Sequence, residues 1–150
     1  MKLFRRFLGA ENIETRVGLF VDGPNVLRGE FDIDLDDVRE KAETYGPLAL
    51  TRLYVDQNAS PGLIRAAEAR GFEVVTTSGD VDVRLAVDAT DATVSEQLDV
   101  LVVASRDTDF KPALEVAARE GVKTVAIAPG EYGRSDALRN AAHEAVTLGQ

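Results

Sequence analysis

Two apolar runs of the chain are closely followed by acidic residues, at points where a β-strand would end. Asp22 follows VGLFV (17–21), and Asp107 comes shortly after DVLVVAS (99–105). A carboxylate at such a point could cap the next element, hold an ion or take part in chemistry. Carboxylates within about 4–6 Å of one another resist ionising together, so a cluster of them indicates that a cation lies among them.

The residue types available to such a cluster restrict its chemistry. The chain has one His and no Cys, which disfavours a zinc site and mechanisms that pair a nucleophile with a base. Oxygen ligands without His or Cys favour Mg²⁺ or Mn²⁺. Such an ion polarises a phosphate, lowers the pKa of an attacking water and stabilises the leaving oxygen, so the pattern favours phosphoryl transfer.

The elements that must position these acids follow from the hydrophobic pattern. Five runs are rich in Val, Ile and Leu and hardly alternate, as in strands covered on both faces. They are 17–21, 48–55, 72–76, 99–105 and 123–128. Helical patterns lie between or after them, at 35–46, 60–71, 81–91 and 109–121, and a last segment, 135–148, predicts a further helix with an edge strand as an addition.

Strands that alternate with helices predict a parallel sheet built from βαβ units. We predict an α/β fold with a doubly wound, Rossmann-like sheet of five to six strands, order about 3-2-1-4-5, and helices on both faces. In such a sheet ligands bind beyond the carboxyl ends of the strands where the winding reverses, here between the first and fourth strands. Asp22 and Asp107 would both lie at that crevice.

The helix predicted at 81–91 adds two further acids, Asp82 and Asp88. Their spacing of six residues corresponds to about 240° of rotation and about 9 Å of rise on a regular helix. The two side chains therefore cannot easily bind the same ion together. We expect Asp82 to lie closer to the metal, and Asp88 either to contact the ligands of the metal or to bind the metal through a water molecule.

Length, charge and composition set wider bounds. A chain of 150 residues is long enough for one domain, and we expect a leader at 1–15 and a single domain at 16–150. The absence of Cys and of an apolar run of about 20 residues supports neither an oxidising compartment nor a membrane span, so we expect a cytoplasmic location. The net charge of -9 disfavours a basic nucleic-acid clamp, although divalent ions and local Arg residues can offset it.

Three stretches of the sequence, VDGPNV, GDVDVRLAVDA and VVASRDTDFKPAL, carry these acids in order along the chain. They resemble the three signatures of NYN domains, which have a PIN-like metal-dependent ribonuclease fold, and in particular those of the LabA-like branch. The resemblance covers residues 16–148. It implies a PIN-like fold, RNA as the substrate, most simply single-stranded, and Mg²⁺ or Mn²⁺ as the cofactor.

The resemblance also implies roles for individual residues. Asp22 matches the acid that ends the first strand and binds the metal, and Asn25 matches an Asn that helps to place the phosphate or a metal-bound water. Asp82 and Asp107 complete the implied catalytic and metal-binding set, with Asp107 nearest the metal. The matching residues with supporting roles are Asp88, Ser105 and Asp109.

Some of these residues also have simpler interpretations, and two positions depart from the family pattern. Asp109 could instead cap the helix that follows it, and Ser105 could be ordinary strand-end polarity. Arg106 stands where the family usually has Gly, and its guanidinium could neutralise the acids, bind phosphate or take the metal's place. Asp80 stands where the family often has Lys, which removes a phosphate contact.

Two functions remain open on the sequence. The first is a ribonuclease or phosphodiesterase that hydrolyses RNA with Mg²⁺- or Mn²⁺-activated water and in which Arg106 binds substrate. The second is a catalytically weak or inactive NYN module that binds RNA or a protein partner. The sequence leaves the oligomeric state open, including a homo-oligomer.

Overall fold

Six strands form one parallel sheet in the computed structural model, which describes residues 15–27, 34–130 and 140–149. The strands are β1 Val17–Asp22, β2 Leu48–Asp56, β3 Glu73–Thr77, β4 Val100–Ala104, β5 Lys123–Pro129 and β6 Glu144–Leu148. Their order is β3-β2-β1-β4-β5-β6, and every neighbouring pair is parallel. The predicted order 3-2-1-4-5 is confirmed, with β6 added at the edge beside β5.

Five helices connect the strands within the described residues. They are α1 Gly23–Val26, α2 Leu35–Glu43, α3 Pro61–Ala69, α4 Val81–Val94 and α5 Lys111–Arg119, the last preceded by a 3-10 turn at Thr108–Phe110. The helices predicted between the strands are all present. Of the predicted last segment, 144–148 forms the edge strand, whereas 135–139 lies outside the described residues, as does 1–14 of the predicted leader.

Local sequence signals account for several helix ends. Helix α2 begins with a capping box in which Asp34 and Asp37 each accept a hydrogen bond from the other's backbone N–H, at 2.9 and 3.3 Å. Helix α3 begins at Pro61 after Ser60, whose hydroxyl accepts from a backbone N–H. The turn after α5 places Gly121 at a φ of +80°, a left-handed conformation that glycine adopts without strain.

The core consists of two layers, one on each face of the sheet. Helices α2 and α3 pack on the face that includes Leu19 and Val21, and helices α4 and α5 pack on the face that includes Phe20. Because both faces of the sheet are covered, the central strands β1, β4 and β5 are buried along almost their whole length, which explains the weak alternation in their sequences. Within the described residues, no helix combines the length and the hydrophobicity needed to cross a bilayer.

Candidate active site

The end of β1 and the end of β4 lie side by side at the crevice between the two halves of the sheet. Asp22 is the last residue of β1 and its side chain is 1% exposed. Its Oδ2 accepts a hydrogen bond from Asn25 Nδ2 at 2.6 Å and another from the buried Ser105 hydroxyl at 2.9 Å. These contacts join β1, α1 and the residue that follows β4.

A chain of hydrogen bonds continues from Ser105 through the loop after β4. The Ser105 hydroxyl oxygen accepts from the backbone N–H of Asp107 at 3.0 Å, and Asp107 Oδ1 accepts from the backbone N–H of Asp109 at 2.9 Å. Each bond spans two residues and closes a tight turn. Buried Asp22 therefore fixes, through Ser105, the loop that presents Asp107 and Asp109.

Three carboxylates converge at the outer side of this loop. Oxygens of Asp82, Asp107 and Asp109 all lie within 4.8 Å of one another. Asp82 comes from the first turn of α4, which packs against α5 and the 3-10 turn. The pKa of Asp109 is raised, first by its hydrogen bond with the Asp82 carboxyl and then by the negative charge of Asp107.

Asp22 lies outside this group of three, although it is close enough to Asp107 to respond to its charge. Burial raises the pKa of Asp22 and outweighs the hydrogen bonds from Asn25 and Ser105, and the charge of Asp107 raises it further. A nearby cation stabilises the ionised form of carboxylates whose pKa is raised by burial or by neighbouring negative charge. The donor set is oxygen alone, which fits Mg²⁺ or Mn²⁺.

Asp88 faces a different set of partners from Asp82. The hydroxyl of Tyr54 on β2 donates to Asp88 Oδ2 at 2.7 Å, and Arg84 Nε lies 3.1 and 3.2 Å from the two Asp88 oxygens. Asp82 and Asp88 thus lie in different environments, with Asp82 among carboxylates and Asp88 between a phenol and a guanidinium. This separation is the one that six residues of a regular helix impose.

Asn25, which follows β1, and Arg106, which follows β4, contact each other at the crevice. The Asn25 side-chain amide donates to Asp22, and its Oδ1 accepts from Arg106 Nε at 3.5 Å. Arg106 is partly buried. A positive side chain therefore borders the acidic site, in contact with the residue that binds Asp22.

Sequence reasoning missed Tyr54 and Arg84, the two residues that hold Asp88. Tyr54 reads as one more apolar residue of the second strand, and only its tertiary contact reveals its role. The sequence offers one weaker signal, because Tyr54 lies near the end of the apolar run at 48–55, on the side of the predicted sheet where ligands bind. A polar hydroxyl at that level of a buried strand needs a partner near the crevice.

Two known proteins are similar to this chain over most of its length. A solved structure of a protein of unknown function from Vibrio parahaemolyticus matches with a TM-score of 0.77 over 93% of this chain and 96% of that chain, at 19% identity. That likeness shows the fold alone, the doubly wound α/β fold with the predicted strand order. An uncharacterised protein of Methanocaldococcus jannaschii is 42% identical over 137 residues.

This alignment with the archaeal protein covers 91% of this chain and 57% of the relative, so the chain spans a little over half of that protein's length. The family model of the NYN domain matches residues 16–149, which include every strand and helix described above. The chain therefore belongs to the NYN domain family.

Proposed function

We propose that the protein is a Mg²⁺- or Mn²⁺-dependent ribonuclease that hydrolyses phosphodiester bonds in single-stranded RNA. The observation that carries the proposal is the convergence of Asp82, Asp107 and Asp109 within 4.8 Å beside buried Asp22. Family membership supports it at a coarser level, because NYN domains are generally nucleases, a class of hydrolases, that act on RNA. The LabA-like branch and a cytoplasmic location stay sequence-based predictions.

The proposed metal ligands come from both sides of the crevice. Asp82 and Asp107 are the central pair, and Asp109 adds a third oxygen within reach of both. Asp22 is retained in the set because it is buried next to Asp107 and a cation would favour its ionised form. A divalent ion bound here supplies Lewis-acid activation of water and of the phosphate.

Other residues orient this set or bind the substrate. Ser105 bonds to Asp22 and to the backbone of Asp107, and so sets the distance between the two acids. Asn25 is held between Asp22 and Arg106, where its amide can help to place a phosphate oxygen. Arg106 supplies the positive charge that the substrate backbone needs on a chain of net charge -9.

Arg106 also supports a second candidate function, a catalytically weak or inactive NYN module that binds RNA or a protein partner. Its guanidinium contacts Asn25 at 3.5 Å, inside the constellation that would place the phosphate. A cation at this point reduces the repulsion among the acids without a metal. RNA would then be bound and not cleaved.

The two candidates differ in a cleavage assay on labelled single-stranded RNA with Mn²⁺. We expect cleavage by the wild type and by Asp91→Asn, a control that removes an exposed acid of α4 outside the site. The Asp22→Asn/Asp107→Asn double variant is expected to be inactive. Equal cleavage by the double variant would show a contaminating nuclease and end the proposal, whereas RNA binding without cleavage by the wild type would favour the second candidate.

A further inference from the structure

We propose that Tyr54 is a positioning residue for the acidic site, because its buried hydroxyl holds Asp88 and thereby fixes the part of α4 that carries Asp82. The inference rests on the proposed function, since it concerns how the chain places a proposed metal ligand. Tyr54 itself contacts neither metal nor substrate in this account. It acts through Asp88 and the helix.

The Tyr54 hydroxyl is buried and is bonded to α4. Tyr54 is 0% exposed, and its hydroxyl donates to Asp88 Oδ2 at 2.7 Å. Arg84 Nε lies 3.1 Å from the same Asp88 oxygen. The network thus runs from β2 through a phenol to a carboxylate and a guanidinium on α4.

The place of Tyr54 in the sheet connects this network with the crevice. Its Cα pairs with that of Asp22 in the parallel ladder of β1 and β2. Its ring stacks on that of Phe20, which belongs to the same core layer beneath α4, with centroids 6.2 Å apart. The residue of β2 that lies beside Asp22 is therefore also the residue that is hydrogen-bonded to α4.

Packing alone does not account for a tyrosine here, since phenylalanine would fill the same space. A buried hydroxyl loses its hydration, and this loss is offset only where the group is hydrogen-bonded. The partner lies on the helix that must bring Asp82 within 4.8 Å of Asp107 and Asp109. The hydroxyl thus links the sheet to the element whose position the site requires.

The start of α4 lacks the usual means of fixing a helix end. Its N-cap residue, Asp80, makes no side-chain capping hydrogen bond. Asp88 lies six residues after Asp82, about 9 Å along the axis of the same rigid helix. The bond from Tyr54 to Asp88 is therefore a polar anchor that controls where Asp82 lies.

A pair of Tyr→Phe variants tests the inference. Tyr54→Phe removes the hydroxyl from Asp88, and Tyr45→Phe removes a hydroxyl that also donates to a carboxylate, Glu144, at the start of β6. For each variant we would measure Mn²⁺ affinity by calorimetry, thermal stability and the rate of RNA cleavage. Both variants are expected to lose stability.

The two variants should differ in metal affinity. We expect Tyr54→Phe to weaken Mn²⁺ binding about tenfold, the effect of removing an outer partner that orients a metal site, and Tyr45→Phe to leave it unchanged. If Tyr54→Phe binds Mn²⁺ as tightly as Tyr45→Phe does, while the wild type binds Mn²⁺ and cleaves RNA, the inference is overturned and the proposed function stays intact. A wild type that does not bind Mn²⁺ would remove both.

A second pair of variants tests whether Tyr54 acts through Asp88. Asp88→Ala should weaken Mn²⁺ binding as much as Tyr54→Phe does, and the double variant should be no worse than Asp88→Ala alone. Asp88→Asn keeps an oxygen for the Tyr54 hydroxyl and should retain part of the affinity. Independent, additive losses from Tyr54→Phe and Asp88→Ala would contradict the inference, and Asp88→Ala with wild-type affinity would do so even if Tyr54→Phe did not fold.

Discussion

Ser105→Ala is the substitution that tests most sharply how the two halves of the crevice are joined. Ser105 is 0% exposed, and its hydroxyl donates to Asp22 Oδ2 and accepts from the N–H of Asp107. The change removes only an oxygen, so packing is almost unaffected. What it leaves behind is a buried carboxylate with one donor fewer and a backbone N–H without its acceptor.

The expected loss follows from these two bonds. A hydrogen bond to a charged group contributes about 1.5–3 kcal/mol and one to a neutral group about 1 kcal/mol, so Ser105→Ala should lower the free energy of unfolding by about 3 kcal/mol. At about 2–4 °C per kcal/mol for a chain of this size, the melting temperature should fall by about 6–12 °C. Urea denaturation of metal-free protein measures the free energy, and a thermal scan measures the shift.

Two further Ser→Ala variants calibrate the result. Ser60→Ala removes a single exposed helix cap and should cost about 1 kcal/mol. Ser95→Ala, at an exposed position after α4, should change stability by less than about 0.5 kcal/mol. If Ser105→Ala loses no more stability than Ser60→Ala, the bonds from Ser105 do not join the crevice as described.

Three other outcomes are expected. Burial raises the pKa of Asp22 above the ordinary value of 3.8, so the folded protein binds the proton of the Asp22 carboxyl more tightly than the unfolded chain does. The resulting stabilisation of the folded state is complete below pH 3.8 and is lost as the pH rises through the folded-state pKa. Asp22→Asn should therefore raise the melting temperature of the metal-free protein at pH 7, and a fall would contradict this reasoning. Gly23→Ala should destabilise by about 1–3 kcal/mol, because a Cβ would lie 2.5 Å from the Tyr54 carbonyl oxygen, whereas Gly79→Ala meets nothing within 4 Å and serves as the control in urea denaturation. Mn²⁺ at about 100 times its dissociation constant should stabilise the wild type by about 2.7 kcal/mol in a thermal scan and should leave Asp82→Asn unchanged; an equal shift in both would place the ion elsewhere.

Much of the fold could be predicted from the sequence because the central strands are covered on both faces. That environment demands near-continuous apolar runs such as VLVVA at 100–104, which is buried throughout, and these are easy to recognise. Once strands and helices alternate, few topologies remain, and the reversal of winding between β1 and β4 follows. The edge strand β6 was less certain, because EAVTL is short and only partly buried.

The site could be predicted only as far as topology determines it. Asp22 ends β1 and Ser105 directly follows the neighbouring β4, so their proximity follows from the order of the sheet. The grouping of Asp109 with Asp82 depends instead on turns within the loop after β4, which a hydroxyl and a carboxylate close locally. The bond between Tyr54 and Asp88 joins residues 34 positions apart, and no periodicity in the sequence reports such a contact.

Carboxylates from α4 and from the loop after β4 are proposed to hold one divalent cation beside Asp22. A calorimetric titration of Mn²⁺ into the metal-free wild type, Asp107→Asn and Asp91→Asn tests this proposal directly. We expect saturable Mn²⁺ binding by the wild type and by Asp91→Asn, and loss of this binding in Asp107→Asn. Binding by Asp107→Asn as tight as that of the wild type, or no binding by the wild type, would contradict the proposal.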